Sequence, residues 1–353
     1  MKIAFSPTDH NTNKYSKILV ELLEDHKIYA YPLHKVLTQF ELFRSVKVFH
    51  LNWYESLYSK NVFEKTIEFI RKIIILFILK ICSKKIIWTM HNKIPHEGTL
   101  LILSKFLINL LTIFSSKIII HSKISKDFLS ISNQKIKSKI EYIPHPNYIN
   151  IYGGSKRECE THSRDKLNLL FIGAIKPYKN IELLIDVVKI FYDDINLTIA
   201  GKPSDDIYKQ HLLSYSADIK NIALHLEFIS DNDISSYIKN FDLLVLPYDI
   251  QSSLNSGTVI LAFSYNKSVI CPEIGTISDI QEKNHLLTYN YTNNREHTFQ
   301  LMEKIKYAIN LKKDNHTVFE DWGNHMFNYV NINNDKKDVV AKLVKVYDQV
   351  TSI

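Results

Sequence analysis

The sequence predicts an α/β protein of two parallel-sheet domains in tandem, on three observations. Short apolar strands alternate with helical stretches through residues 1–150 and again from Leu167, the rhythm of parallel sheets covered by helices. Between the two runs, Asn150 to Lys166 (NIYGGSKRECETHSRDK) is polar, carries a Gly-Gly pair and lacks periodicity. Of the eight glycines, Gly173, Gly201, Gly257 and Gly275 fall in the second run, three at or just after strand ends and one at a helix start, where backbone and ligand approach closely. The expected organisation is a first domain over 1–155, a second over 166–330 and a terminal helix over 331–353.

A chain of 353 residues is long enough for two such cores. Its three cysteines, Cys82, Cys159 and Cys271, are too widely spaced for a disulfide framework or a zinc site, which points to a reducing compartment. The opening, Lys2 and a six-residue strand followed by polar SPTDHNTNKY, does not have the form of a signal peptide. The net charge of +7 is unevenly distributed: residues 1–150 carry 22 basic against 11 acidic side chains, and residues 151–353 carry 22 against 26. A basic half suits nucleic acid or an anionic membrane, and the residues interleaved with it are aliphatic rather than aromatic, which favours the membrane.

Taken in order, Met1 to Ser6 is the first strand, and the polar loop after it feeds a helix through Leu23. Lys47 to Leu51 is the next strand, ending in HLNWYE. Glu64 to Ile87 combines helical periodicity with Arg71, Lys72, Lys80, Lys84 and Lys85 around an apolar run, Ile73 to Leu79. That run is far short of the ~20 residues needed to span a bilayer, and the pattern suits a helix lying on a membrane surface. A core helix with solvated lysine ends has the same pattern. Strand Ile86 to Met90 leads into HNKIPHEG, and an apolar helix over Leu100 to Phe114 precedes strand Lys117 to His121. Ile140 to Ile143 closes the first domain at PHPNY.

The second domain begins with strand Leu167 to Gly173, then KPYKN and a helix to about Phe191. Strand Ile195 to Gly201, a helix near Ile207 to Ser216, strand Ile222 to Ser230 and a helix over Asp231 to Lys239 follow. Asp242 to Leu246 is a buried strand whose polar loop, ending in Ser252, Ser253, Asn255, Ser256 and Gly257, starts a helix over Thr258 to Tyr265. Strand Ser268 to Cys271 then stops at Pro272 and Gly275, and Lys336 to Val350 is an amphipathic helix with Val339, Val340, Leu343, Val344 and Tyr347 on one stripe. Ligands of open α/β sheets bind at strand ends of the kind found after Leu246, where loop amides and helix N-termini converge.

Four blocks in this order carry a resemblance. LLFIGAIKPYKNIELLIDV, LTIAGKP, FISDNDISSYIKNFDLLVLPYD and SVICPEIGTISDI are similar to successive motifs of the GT-B glycosyltransferases, in the broad group that holds the bacterial family 4 enzymes of lipopolysaccharide, capsule and exopolysaccharide synthesis. The resemblance implies two Rossmann-like domains facing across a cleft, with a C-terminal helix packing back toward the first. It implies transfer of a hexose such as mannose, glucose or galactose from a UDP- or GDP-sugar to a lipid-linked saccharide at the inner face of the cytoplasmic membrane. The family's retaining enzymes carry two glutamates with seven residues between them in the loop and helix after Leu246, and those places are held here by Ser253 and Leu261. SSLNSGTVILAF with WTMHNKIPHE resembles a subgroup that includes exopolysaccharide mannosyltransferases, so both retaining and inverting outcomes stay open.

Candidate residues follow from chemistry and from this resemblance. A diphosphate leaving group without a metal needs Lys, Arg or helix-terminus amides; Lys176 and Lys179 stand in IKPYKN, and the resemblance gives Lys179 that task. Gly173, Ser253, Asn255, Ser256, Gly257 and Thr258 are donor-binding candidates, although an ordinary helix cap uses the same residues. His91, with Asn92, is implied to contact the donor sugar, and Glu273 is a candidate for the ribose hydroxyls that Leu261 cannot hold. An inverting reaction needs one base at the acceptor, for which Glu97, His96, Asp9 and His10 are candidates. The sequence has no D-x-D pair at a strand end, so no obligatory metal is expected. Two other readings compete: a sugar-binding protein without turnover, suggested by the missing glutamates, and a nucleic-acid-binding α/β protein.

Overall fold

The structure, a computed structural model, describes residues 1–9, 14–59, 61–93, 101–129, 134–153 and 165–352. The chain divides into two compact units: Met1–Pro146 with Ser252–Asn255 and Asn334–Ile353, and Asn147–Gln251 with Ser256–Asn333.

Unit 1 is built on β1 (Lys2–Ser6), β2 (Tyr29–Pro32), β3 (Val48–Asn52), β4 (Lys85–Met90), β5 (Lys117–Ile120) and β6 (Ile140–Tyr142). Its helices are α1 (Tyr15–Asp25), α2 (Leu33–Thr38), α3 (Phe40–Ser45), α4 (Val62–Ile81), α5 (Leu101–Phe114), α6 (Ser125–Phe128) and α7 (Gln134–Lys137). All neighbouring strands are parallel, in the order β2-β1-β3-β4-β5-β6. Strands buried on both faces alternate their side chains between two cores. Ile86, Trp88, Ile118 and Ile120 face a cluster shared with Leu76 and Leu79 of α4 and Leu107 and Leu111 of α5. Ile3, Phe5, Val48 and Ile87 face the other, shared with Leu19 and Leu23 of α1.

Unit 2 holds β7 (Leu167–Ile172), β8 (Ile195–Ala200), β9 (Ile222–His225), β10 (Leu243–Val245), β11 (Ser268–Pro272) and β12 (Leu287–Tyr289). Its helices are α8 (Ile181–Ile190), α9 (Asp206–Tyr215), α10 (Ile234–Lys239), α11 (Gly257–Ser264), α12 (Gly275–Ser278), α13 (Asn294–Asp314) and α14 (Val318–Asn333). The sheet is again parallel, in the order β12-β11-β10-β7-β8-β9. Strand order therefore reverses between β7 and β10, the position at which doubly wound sheets open a ligand crevice.

The last helix, α15 (Lys336–Thr351), belongs to unit 1: Val339, Val340, Leu343 and Tyr347 complete the core that covers Ile3, Phe5 and Val48. The expected packing of the terminal helix on the first domain is thus found. Several expected spans are shorter. The helix expected over Glu64 to Ile87 ends at Ile81, because Ser83 takes a left-handed φ of 54° and β4 begins at Lys85. The strand expected to reach Ser230 ends at His225, and α10 starts at Ile234 rather than Asp231.

Candidate functional site

In unit 2, the residues at the switch point are held from both sides. Gly173 closes β7 with a φ of 130°, its amide bonded to Ala200 O at 3.0 Å. Gly201 closes β8 with a φ of 145°, and a Cβ there would lie 1.9 Å from the carbonyl oxygen of Gly173. Only glycine permits that approach. The next turn is tied to β8 by Ile175, whose amide bonds Lys202 O at 2.9 Å, and to β10 by Asn180, whose side-chain amide donates to Pro247 O at 2.8 Å. Asn180 itself sits in the left-handed region at φ 54°, a conformation that asparagine tolerates.

This frame fixes Lys179. Its side chain is 8% exposed, with the ammonium 5.6 Å from the Phe171 ring centroid and 5.3 Å from that of Tyr248. Among the described residues no carboxylate or hydrogen-bond acceptor partners it, and burial, then the neighbouring Lys176 charge, lowers its pKa to about 8. A Cβ built on Gly173 would stand 3.6 Å from both the Lys179 ammonium and the Thr258 hydroxyl, so both groups border the space above that glycine. The Tyr248 hydroxyl lies close to those of Thr258 and Ser256, and burial raises its pKa to about 12. Ser256 is the N-cap of α11: its Oγ accepts from Val259 N at 3.2 Å, while its own amide donates to the Thr276 hydroxyl at 2.9 Å. The first-turn amides of α11 at Gly257 and Thr258 have no partner inside the helix. A buried cation, two hydroxyls and a helix N-terminus are groups whose chemistry can hold an anion.

In unit 1, the strand ends carry a set of aromatic and imidazole rings. Trp53 follows β3 in the left-handed region at φ 50°, a costly conformation for a bulky residue. That conformation stacks its ring on His91 at 3.9 Å between centroids. Asn52 donates through Nδ2 to Ser6 O at 3.3 Å, which turns its Oδ1 toward His91 Nε2 at 3.1 Å. His91 therefore carries its proton on Nε2 and presents a lone pair at Nδ1. Burial, then the nearby imidazoles led by His121, keeps it neutral by pushing its pKa well down. His121 donates Nδ1–H to Ile143 O at 2.7 Å and receives the Tyr15 hydroxyl at Nε2, 3.0 Å away. Burial first pushes His121 down to about 4 and His50 and His145 to about 3.

The candidate residues separate as follows. Gly173, Lys176, Lys179, Ser256, Gly257 and Thr258 lie in unit 2, around the β7 and β10 ends. Ser253 and Asn255 belong to unit 1. Ser253 is buried, and the Asn255 side-chain amide donates to His91 O at 3.0 Å, so Asn255 positions the histidine backbone rather than serving as a bare helix-start amide. Glu273 is paired with Lys283 at 2.6 Å. Asn92 follows His91, half-buried, and Asp9 is exposed in the loop after β1. Glu97, His96 and His10 lie outside the described residues. Sequence reasoning gave no role to Tyr248, Trp53 or Asn52; the LPYD motif contained the first, and the ring-bearing HLNWYE at a strand end was the signal for the others.

The family model "Glycosyl transferases group 1" matches residues 155–318. A GDP-mannose:glycolipid 4-beta-D-mannosyltransferase of Xanthomonas campestris pv. campestris is 31% identical over 105 residues, 30% of this chain and 30% of that protein. The chain thus aligns with about a third of that relative's length. Among solved structures, Anabaena HepE in complex with UDP-glucose superposes with a TM-score of 0.71 at 14% identity, covering 100% of both chains. Sucrose-phosphate synthase from Thermosynechococcus elongatus gives 0.72 at 11% identity, covering 100% of this chain and 99% of that one. The fold of this chain is GT-B, and its residues 155–318 match the group 1 glycosyl transferases.

Proposed function

We propose that the protein transfers a hexose from a nucleoside-diphosphate sugar to a lipid-linked glycan in cell-surface polysaccharide synthesis, working as a peripheral protein on the anionic inner face of the cytoplasmic membrane. The observation that carries the reading is the buried, unpartnered ammonium of Lys179 beside Thr258 and the start of α11. A buried cation is costly without an anion, and a diphosphate supplies one. As the bond to the anomeric carbon breaks, charge grows on the leaving phosphate, and Lys179 and the α11 amides stabilise it there. The same charge makes an obligatory metal unnecessary. His91 offers its Nδ1 lone pair to a sugar hydroxyl. The acceptor hydroxyl loses its proton to a base, for which Asp9, His10, His96 and Glu97 are the candidates.

The relatives support this reading in kind: one uses GDP-mannose and a glycolipid, and one was solved with UDP-glucose. A thermal-shift series with UDP- and GDP-sugars tests it. A donor at a hundred times its Kd stabilises by about 2.7 kcal/mol, and Lys179→Ala removes the shift while leaving the unliganded melting point unchanged or raised. An undiminished shift in Lys179→Ala removes the phosphate role. Ser253 and Leu261, in place of two glutamates, favour a second reading, donor binding without turnover; sugar transfer to extracted membrane lipid decides between them.

A further inference from the structure

The two helices that cover one face of the unit 1 sheet bury one apolar side and leave another exposed. Leu76 and Leu79 of α4 and Leu107 and Leu111 of α5 are fully buried. On the outer side of α4, Phe63, Ile67, Ile70, Ile74, Phe77 and Ile81 are all exposed, Phe63 at 74% and Ile81 at 80%. Their spacing of three, four and seven residues puts them on one stripe. Beside it, α5 exposes Ile102, Phe106 and Ile113. The helices lie side by side, with Phe69 6.0 Å from Phe106 and Phe77 5.2 Å from Phe114 between ring centroids, so the two stripes form one continuous surface. Soluble monomers rarely leave so large an apolar patch uncovered.

The charges around the patch identify what covers it. Arg71, Lys80 and Lys105 are exposed on these two helices, and Lys139 is bonded to the carbonyls of Thr112 and Ile113 at the end of α5. Lys139 also lies near enough to Lys80 to feel its charge, after the effect of burial. The acids of α4 are engaged or buried: Glu68 pairs with Lys72 at 2.8 Å, and Glu64 accepts from Asn61 at 3.0 Å. The described part of α5 has no acid at all. An apolar face with a cationic rim complements an anionic bilayer, whereas a second copy of the same face would set like charges against one another. No described helix is long and apolar enough to cross a membrane, so the contact is interfacial.

We propose that the outer face of α4 and α5 is a membrane-docking surface that lies in the headgroup region of an anionic bilayer, its isoleucines and phenylalanines inserted and its lysines on the phosphates. This deepens the membrane reading given above and rests on it. Co-sedimentation with vesicles of phosphatidylcholine, with and without phosphatidylglycerol, tests it. The full chain binds the phosphatidylglycerol vesicles, and binding weakens with salt. The triple variant Ile67→Ser/Ile74→Ser/Ile81→Ser loses binding by about tenfold or more, and Lys80→Glu/Lys105→Glu loses the preference for anionic vesicles. Both variants keep the wild-type melting point and donor-induced shift, since the changed side chains are exposed, so loss of docking is separable from loss of donor binding. Equal sedimentation of wild type and triple variant overturns the proposal, as does a wild-type dimer that the triple variant dissociates and vesicles do not compete with.

Discussion

Lys179 is buried with no carboxylate partner among the described residues, and this gives a pH signature. Its pKa in the folded protein is about 8, against 10.5 for the free side chain. At neutral pH both states hold the proton, and the folded state bears a penalty of about 3 kcal/mol. Between pH 8 and 10.5 the unfolded chain binds more protons than the folded one, so this residue's contribution to stability rises across that window. The difference in unfolding free energy between wild type and Lys179→Met should shrink as pH climbs from 8 to 10; a constant difference contradicts the burial. Affinity for a nucleoside diphosphate should fall over the same range as the ammonium loses its charge. At Gly201 the constraint is steric. Gly201→Ala places a methyl on the Gly173 carbonyl at a φ of 145° and should cost several kcal/mol in thermal unfolding.

At the scale of elements, α11 begins with a single polar cap. Ser256→Ala removes the bond to Val259 N and should cost about 1 kcal/mol in urea unfolding. It should also weaken donor binding through the loosened helix start. The strand ends of unit 1 make a different prediction. His50, His91, His121 and His145 are all buried with pKa values pushed below 6.5, so below pH 6.5 the unfolded chain takes up protons that the folded one refuses. Stability is therefore present above 6.5 and lost on acidification, by about 1.4 kcal/mol per pH unit for each histidine. Glu55, buried with one oxygen bonded to Trp88 and raised by that burial to about 7, acts oppositely and offsets one of the four above pH 4.5. Urea unfolding at pH 7, 6 and 5 should show a loss of several kcal/mol, and a flat profile would refute the neutral cluster.

For the whole molecule, the tandem sheets were legible because fully buried parallel strands such as Leu167–Ile172 are nearly continuous apolar runs that end at glycine. Other elements were not. β2 is a short edge strand with no fully buried residue, and α13 hides Leu301, Ile305 and Ala308 among charged neighbours, so neither announces itself by composition. The stacking of Trp53 on His91 was not legible, because no propensity rule places a tryptophan at positive φ. Nor was the assignment of Ser252–Asn255 to the first unit, where Leu254 joins the core cluster that holds Trp88, far away in the sequence. The terminal helix supplies the last test. Ending the chain after Asn333 removes Val340, Leu343 and Tyr347 from the core around Ile3 and Phe5, a loss comparable to the usual margin of about 5–15 kcal/mol, and should leave unit 1 unfolded and the product insoluble. That dependence has a consequence for synthesis. On the ribosome the domain that emerges first cannot be finished until the final helix leaves the exit tunnel, so unit 2 can fold first and the nascent amino-terminal sheet must be kept from aggregating in the meantime.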